Sequence, residues 1–223
     1  MNMLKNNLTP IPTKQLYLYR ILPGLLLLLI SFTIANIAGK YATAQASNPV
    51  NDLFLDWLPI YNVNMIHISF AITFWSVFAI WLLKYPAFAP FVCKSASLFI
   101  LIRSGFICLT HLGIPPSQLA IPGHFSALLL FSGDMFFSGH VGGPFLLYLI
   151  FYPIKRCRWL FLSMTILFGL SVLLGHIHYS IDVFSAPFIT FTIFHIAKKL
   201  FKSDWYLFRM AIKQHLKQTT YPH

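Results

Sequence analysis

Residues 21–38 read ILPGLLLLLISFTIANIA, a run without a single charged side chain. A lipid bilayer needs about 20 apolar residues per helix, so this run predicts a membrane-spanning helix. Further runs of similar length and composition follow along the chain. The sequence therefore predicts an all-α integral membrane protein with six transmembrane helices, over Ile21–Ala38, Met65–Leu83, Ser95–Leu112, Met135–Ile154, Trp159–Gly175 and Tyr179–Phe201.

Composition and charge agree with this prediction. Of 223 residues, 57% are hydrophobic and only 9% are charged, whereas soluble domains have roughly 25% charged residues. A formal net charge of +11 would suggest nucleic-acid binding in a soluble protein. Here, however, all Lys and Arg residues except Lys40 and Arg103 fall at the two termini and in the second and fourth connections, which share one side. The positive-inside rule then places both termini in the cytoplasm and predicts no nucleic-acid partner.

No repeat or linker divides the chain, so we predict one membrane domain over residues 21–201. A cytoplasmic N-terminal segment, residues 1–20, precedes it, and a basic cytoplasmic tail, residues 202–223, follows it. The short connections favour a bacterial inner membrane over a Golgi or plasma membrane. The sequence leaves the oligomeric state open.

Ionisable residues gather at the span ends opposite the basic connections. Residues 132–140 read SGDMFFSGH and residues 176–182 read HIHYSID. Ionisable groups beside apolar spans are costly and by default suggest function. His178 and Asp182 are four residues apart, which on a helix places them on one face, one turn apart. The carboxylate can then hold one imidazole nitrogen and leave the other to attack a substrate, with His140 as a candidate general acid or base.

Two other interpretations of these residues are open at this point. A single membrane histidine often serves only as a hydrogen bonder between packed helices. The group formed by His140, His176, His178 and Asp182 also has the ligand types of a transition-metal site.

The same residues resemble the sphingomyelin synthase family within the type 2 phosphatidic acid phosphatase (PAP2) superfamily. That family reads Cys-Gly-Asp-x3-Ser-Gly-His and His-Tyr-Thr-x-Asp-Val, and this chain has Ser-Gly-Asp-x3-Ser-Gly-His at 132–140 and His-Tyr-Ser-x-Asp-Val at 178–183. Residues 48–52 are similar to its Pro-Leu-Pro-Asp segment, and Arg103 to an arginine near the end of its third span. The resemblance covers roughly residues 48–200 and implies a PAP2-like bundle that uses no metal and no other cofactor.

The resemblance also implies an activity and roles for individual residues. His178 would attack the phosphorus of a phospholipid, Asp182 would orient His178, and His140 would protonate the departing oxygen. A phosphocholine or phosphoethanolamine headgroup would pass from a glycerophospholipid through a histidine-linked intermediate to a lipid hydroxyl such as that of ceramide, on the non-cytoplasmic face. The residues implied to bind substrate are Arg103, Asp134, Ser138, His176 and Tyr179.

A PAP2-type lipid phosphatase is the main alternative. A phosphomonoester carries nearly two negative charges and is usually held by several Lys or Arg residues. The superfamily's phosphatases have Lys-x6-Arg-Pro and a Ser-Arg pair ahead of the second histidine, and neither occurs here. A small membrane transporter or scaffold is the second alternative, although the chain lacks the internal repeat that transporters usually have.

Overall fold

The computed structural model describes residues 17–118 and 135–220. These two ranges contain α-helices and no β-strand. A π-helical turn leads into each of the first two helices, at Tyr17–Ile21 and at Met65–Phe70. The helices are α1 (Leu22–Gln45), α2 (Ala71–Lys84), α3 (Ala89–Leu109), α4 (Gly139–Ile150), α5 (Lys155–Leu174), α6 (Ser180–Leu200) and α7 (Lys202–Thr220).

Five helices in the described ranges are long and apolar enough to cross a membrane. They are Tyr19–Gln45, Met65–Lys84, Ala89–Leu109, Lys155–Leu174 and Ser180–Leu200. The prediction of a multi-pass helical membrane protein is therefore confirmed. The predicted count of six spans and the predicted side of the termini are not confirmed.

The fourth predicted span differs most from its prediction. The sequence predicts a helix over Met135–Ile154, but α4 contains only 12 residues. At about 1.5 Å per residue it is about 18 Å long, well short of the ~30 Å hydrocarbon core. It begins late because Ser138 has extended backbone angles, φ −60° and ψ 118°, and residues 135–138 precede it without helical structure.

Other helices surround α4. Its buried residues lie on all sides of it, and they include Gly142, Gly143 and Pro144. A Cβ atom on Gly142 would lie 2.7 Å from the Phe99 ring of α3 and 2.9 Å from the Thr190 hydroxyl of α6. The two glycines therefore let neighbouring helices approach the α4 backbone, which fixes the helix that carries His140.

One end of the bundle is joined by an ionic contact. The Asp204 carboxylate, 2% exposed, accepts a hydrogen bond from Arg20 at 3.0 Å and one from Lys94 at 2.6 Å. These residues lie at the beginnings of α7, α1 and α3 respectively, so the three helices start at the same end. We call it the basic end, defined by Arg20, Lys94 and Asp204.

The terminal helix α7 packs against this end of the bundle. Phe208 and Ile212 are buried in the main hydrophobic core, and the Phe208 ring lies 5.2 Å from that of Phe88. Arg209 and Lys213 are exposed. The aromatic residues of the basic C-terminal segment thus contribute to the protein core, while its basic residues face outward.

The opposite end carries the residues of interest, and we call it the site end, defined by residues 47–49, 111–113 and 174–180. Its loops are joined by backbone hydrogen bonds, including Ser47 N–H to the His111 carbonyl at 3.0 Å and Tyr61 N–H to the Leu174 carbonyl at 2.9 Å. Because α1, α3 and α5 end here and α4 and α6 begin here, the helix directions alternate. His140 and His178 therefore lie at the same end of the bundle.

The close packing around Gly142 leads to a test. Gly142→Ala should destabilise the protein by about 1–3 kcal/mol, the usual cost of overpacking, because the Phe99 ring that must move is itself buried against Phe137. Gly105→Ala is the matched control, since a Cβ at Gly105 meets nothing within 4 Å, and we expect it to be neutral or slightly stabilising. Thermal unfolding of the purified protein in detergent measures both. Equal midpoints for the two variants would contradict this account of α4.

Candidate functional site

The site centres on a histidine and a carboxylate at the start of α6. His178 Nδ1 lies 3.5 Å from Asp182 Oδ2, and the two side chains are 6% and 0% exposed. The same Asp182 oxygen accepts the Tyr179 N–H at 3.1 Å. A carboxylate in the first turn of a helix is favoured because it satisfies a free amide and interacts with the helix dipole.

This pairing has a different local geometry from the one predicted. The i, i+4 spacing suggested two residues on one helical face, but α6 begins only at Ser180. Tyr179 is extended, with φ −67° and ψ 157°, and His176 has a positive φ of 50°. The chain therefore turns sharply before α6, and Asp182 reaches back across the helix start to His178.

His140, on α4, lies near His178 and Asp182. The Ser138 N–H donates to the Asp182 carbonyl at 3.0 Å, which joins the segment before α4 to the first turn of α6. His140 is the second residue of α4, and it lies within electrostatic range of His178 and Arg103. The structure thus brings His140, His178 and Asp182 together.

Arg103 contributes a cation from the last part of α3. Its Nε donates to the Phe137 carbonyl at 2.6 Å. A Cβ on Gly139 would lie 3.3 Å from that Nε and 3.4 Å from the guanidinium carbon. The glycine of the Ser-Gly-His sequence therefore allows the guanidinium to lie against the start of α4, directly before His140.

A third histidine, His67, lies in the site although it was not among the residues predicted from the sequence. It is 1% exposed, and its ring lies 4.3 Å from the His140 ring, centroid to centroid, at an interplanar angle of 31°. Its position inside an apolar span was the available signal, because an ionisable residue at membrane depth is rarely incidental.

Several buried polar atoms at this point have no hydrogen-bond partner within residues 17–118 and 135–220. Buried polar atoms in proteins are nearly always paired, so a group of exceptions in one place needs an explanation. A polar ligand bound beside the Met65–Phe70 turn and the starts of α4 and α6 would supply partners. These atoms are both ring nitrogens of His67, the Ser138 hydroxyl, His178 Nδ1 and Asp182 Oδ1.

The structure gives two of the predicted substrate-binding residues contacts to protein loops. His176 contacts the Ser117 hydroxyl through Nδ1 at 2.5 Å and the Leu58 carbonyl through Nε2 at 3.1 Å. Tyr179 donates its hydroxyl hydrogen to the Gly113 carbonyl at 2.9 Å. These side chains tie the beginning of α6 to the loops of the site end, and their contact with substrate stays a prediction.

The other three predicted substrate-binding residues are Arg103, Ser138 and Asp134. Arg103 and Ser138 lie beside the catalytic candidates, whereas Asp134 lies outside the described residues. The described part of the chain contains no group of three or more His, Cys, Asp or Glu side chains arranged to hold a metal ion. A metal site would also need a ring nitrogen of His176 as a ligand, and both of these nitrogens contact protein atoms in this structure.

Asp52, in the loop after α1, accepts hydrogen bonds from the first residue of α6. Its Oδ2 accepts the Ser180 N–H at 2.8 Å and the Ser180 hydroxyl at 2.9 Å, and its Oδ1 accepts the Leu55 N–H at 3.1 Å. Burial alone would raise the pKa of this carboxyl, but these hydrogen bonds outweigh burial and lower the pKa below its ordinary value. The segment that contains Asp52 therefore positions the helix that carries Asp182.

Residues 132–199 match the family model described as PAP2 superfamily C-terminal. The match supports membership of the PAP2 superfamily, whose members are phosphate-group hydrolases or transferases. It spans α4 to α6 and so includes His140, His178 and Asp182. No curated protein and no solved structure gives a significant match to the chain.

The contacts of Asp52 lead to a pH-dependent prediction. The folded-state pKa of Asp52 is lowered, so its stabilising effect is present above the unfolded value of about 3.9 and is lost as pH falls through the folded-state pKa. Asp52→Asn should therefore lower the free energy of unfolding by about 1 kcal/mol near neutral pH. The difference from wild type should shrink below about pH 4.

Thermal midpoints measured across pH check this expectation. Asp56→Asn is the matched control, because Asp56 is an exposed carboxylate in the same loop, and it should leave the midpoint near the wild-type value at each pH. A difference between wild type and Asp52→Asn that stayed constant down to about pH 3 would show that the charge of Asp52 does not stabilise α6.

Proposed function

We propose that this protein is a phospholipid headgroup transferase that uses a histidine nucleophile. The observation that carries the proposal is the meeting of His178, Asp182, His140 and Arg103 at one end of a membrane helix bundle. The superfamily match supports phosphate-group chemistry of this general kind. The narrower proposal of transfer between lipids is ours and rests on the charge of the site.

In the first step His178 Nε2 attacks the phosphorus of a glycerophospholipid. Asp182 stabilises the positive charge that develops on the ring through its Nδ1. The bond between phosphorus and the diacylglycerol oxygen breaks, and His140 gives its proton to that oxygen. Neutral diacylglycerol leaves, and the phosphorylated headgroup stays on His178.

The second step reverses these roles. The hydroxyl of an acceptor lipid loses its proton to His140, and its oxygen attacks the same phosphorus. The phosphorus–nitrogen bond breaks, which restores His178 and yields a new phospholipid. His140 thus acts as acid and then as base, a common arrangement in covalent two-step catalysis.

The distribution of cations favours a phosphodiester substrate over a monoester. Arg103 lies against the start of α4, whereas Lys40 is exposed on α1, which packs on α3. Residues 119–134, which connect α3 to α4, contain neither Lys nor Arg. One cation matches the single negative charge of a diester better than the nearly double charge of a monoester.

The resemblance to sphingomyelin synthases suggests the substrates. We propose phosphatidylcholine or phosphatidylethanolamine as the donor and a lipid hydroxyl such as that of ceramide as the acceptor. We also propose that the site end faces the non-cytoplasmic side, because the basic end carries Lys and Arg residues of the kind the positive-inside rule places in the cytoplasm.

A PAP2-type phosphatase is the competing proposal, and the same catalytic residues would serve it. In that case water would take the place of the acceptor hydroxyl. The superfamily match supports hydrolysis and transfer equally. Only the charge of the site separates the two.

Reconstituted protein should therefore transfer more readily than it hydrolyses a monoester. With labelled phosphatidylcholine or phosphatidylethanolamine and ceramide, we expect equal amounts of diacylglycerol and new phospholipid, and slow release of phosphate from phosphatidic acid. Arg103→Gln should lower transfer at least about tenfold, since a charged contact contributes about 1.5–3 kcal/mol. Arg103→Lys should keep part of the activity because it preserves the charge without the planar donor pair.

Lys40→Gln is the control for the loss of a positive charge at the site end, and it should leave turnover unchanged. His178→Ala should abolish turnover with every substrate. Rapid release of phosphate from phosphatidic acid, with no transfer product from either diester donor, would overturn the transferase proposal in favour of the phosphatase.

A further inference from the structure

His67 is a buried polar side chain that the mechanism above leaves without a role. It is 1% exposed, and neither ring nitrogen has a hydrogen-bond partner among the described residues. An imidazole always carries at least one N–H, so this arrangement buries a donor next to the reacting groups. A buried donor of this kind is normally paired.

The residues around the His67 ring show where a hydrogen-bond partner for its N–H would lie. The His67 ring lies against that of His140, with centroids 4.3 Å apart and planes tilted by 31°, and it is close enough to His178 for the two side chains to interact electrostatically. The His140 ring also lies 6.1 Å, centroid to centroid, from the Phe168 ring of α5. His67 therefore lies beside the proposed acid and close to the proposed nucleophile, where a ring N–H can reach a substrate bound by both.

The backbone around His67 is also unusual. Residues Met65–Phe70 form a π-helical turn, which then continues as regular α-helix from Ala71. A π-helical turn rotates the residues before it relative to those after it, and such turns occur frequently at functional sites. Here the turn contains His67, and it directs that ring inward from a helix whose remaining residues are mostly exposed.

We propose that His67 binds the substrate, donating a ring N–H to a non-bridging oxygen of the phosphoryl group under attack. This inference rests on the proposed function and deepens it. Arg103 supplies the positive charge and His67 a neutral donor, so together they stabilise the five-coordinate phosphorus without raising the charge of the site. The bonds that form and break in each step stay as described above.

A simple stacking role for His67 makes a different prediction. If the ring serves only to hold His140 in place, Phe at this position should work as well, because it keeps the aromatic contact. If the N–H is needed, Phe should fail, while Asn or Gln should restore part of the activity, since their amide N–H groups fall near Nδ1 and Nε2 respectively. The two roles therefore separate in a comparison of three variants.

The experiment compares wild type with His67→Phe, His67→Asn and His67→Gln in proteoliposomes that contain a labelled phosphodiester donor and ceramide. We expect His67→Phe to lower kcat by about 10²-fold, as is usual when one preorganised donor is removed, with the thermal midpoint unchanged. At least one of the two amide variants should recover tenfold or more of that loss. His195→Phe is the matched control, because the His195 ring also lies against an aromatic ring, that of Phe191. His195 is 15 residues after Ser180, the first residue of α6, and is therefore about 22 Å farther along the helix.

Turnover by His67→Phe within about threefold of wild type would overturn the proposal. If His67→Phe does not fold, the amide variants decide, because full inactivity of both in folded protein also contradicts a donor role. Wild-type protein that hydrolyses phosphatidic acid but does not transfer would refute the transferase proposal alone, and the same variants would then be compared in that hydrolysis. Wild-type protein inactive on both substrates would refute both proposals.

Discussion

The first turn of α6 depends on carboxylates that accept its free amide hydrogens, and the geometry of the site follows from this constraint. Asp182 accepts the Tyr179 N–H from within the helix, and Asp52 accepts the Ser180 N–H from the loop after α1. Because Asp182 is held in this way, its carboxylate is fixed beside His178. The same turn receives the Ser138 N–H, which determines where α4 begins and hence where His140 lies.

The short helix α4 is the second element on which the site depends. It does not need to cross the membrane, since seven of its 12 residues are buried against the rest of the protein. Gly142 and Gly143 allow α2, α3 and α6 to close around it. If the helix extended past Ser138, the Ser138 N–H would bond within the helix and not to the Asp182 carbonyl, so the non-helical segment before Gly139 is part of the arrangement of the site.

Much of this arrangement could be predicted from the sequence, because it follows from local patterns. Long apolar runs indicated the spans, and the residue spacing brought His178 and Asp182 together. The late start of α4 could not be predicted, because the apolar residues continue ahead of Gly139 and a tertiary hydrogen bond, from the Ser138 N–H to the Asp182 carbonyl, holds the preceding segment outside the helix. The true geometry of the His178–Asp182 pair was also hidden, since it depends on a positive φ at His176 that no residue pattern marks.

The role of His67 could not be predicted from the sequence. A single histidine in an apolar run has no neighbour in sequence that would assign it a role, and its partners, His140 and His178, are far away along the chain. Only the folded structure brings the Met65–Phe70 turn beside the start of α4, where the rings of His67 and His140 meet. Asp52 lies in a segment that resembles a known motif, but its contact with the start of α6 also became visible only in the folded structure.

The central claim is that His178 carries the headgroup between donor and acceptor. It is tested most directly by incubating the protein with a labelled phosphodiester donor in the absence of acceptor, quenching the reaction at alkaline pH, where phosphohistidine survives, and mapping the label by mass spectrometry. The account predicts one labelled site, His178, formed together with an equal amount of diacylglycerol and lost when ceramide is added. Transfer to ceramide with no label on His178 at any time, or with the label on another residue, would contradict it.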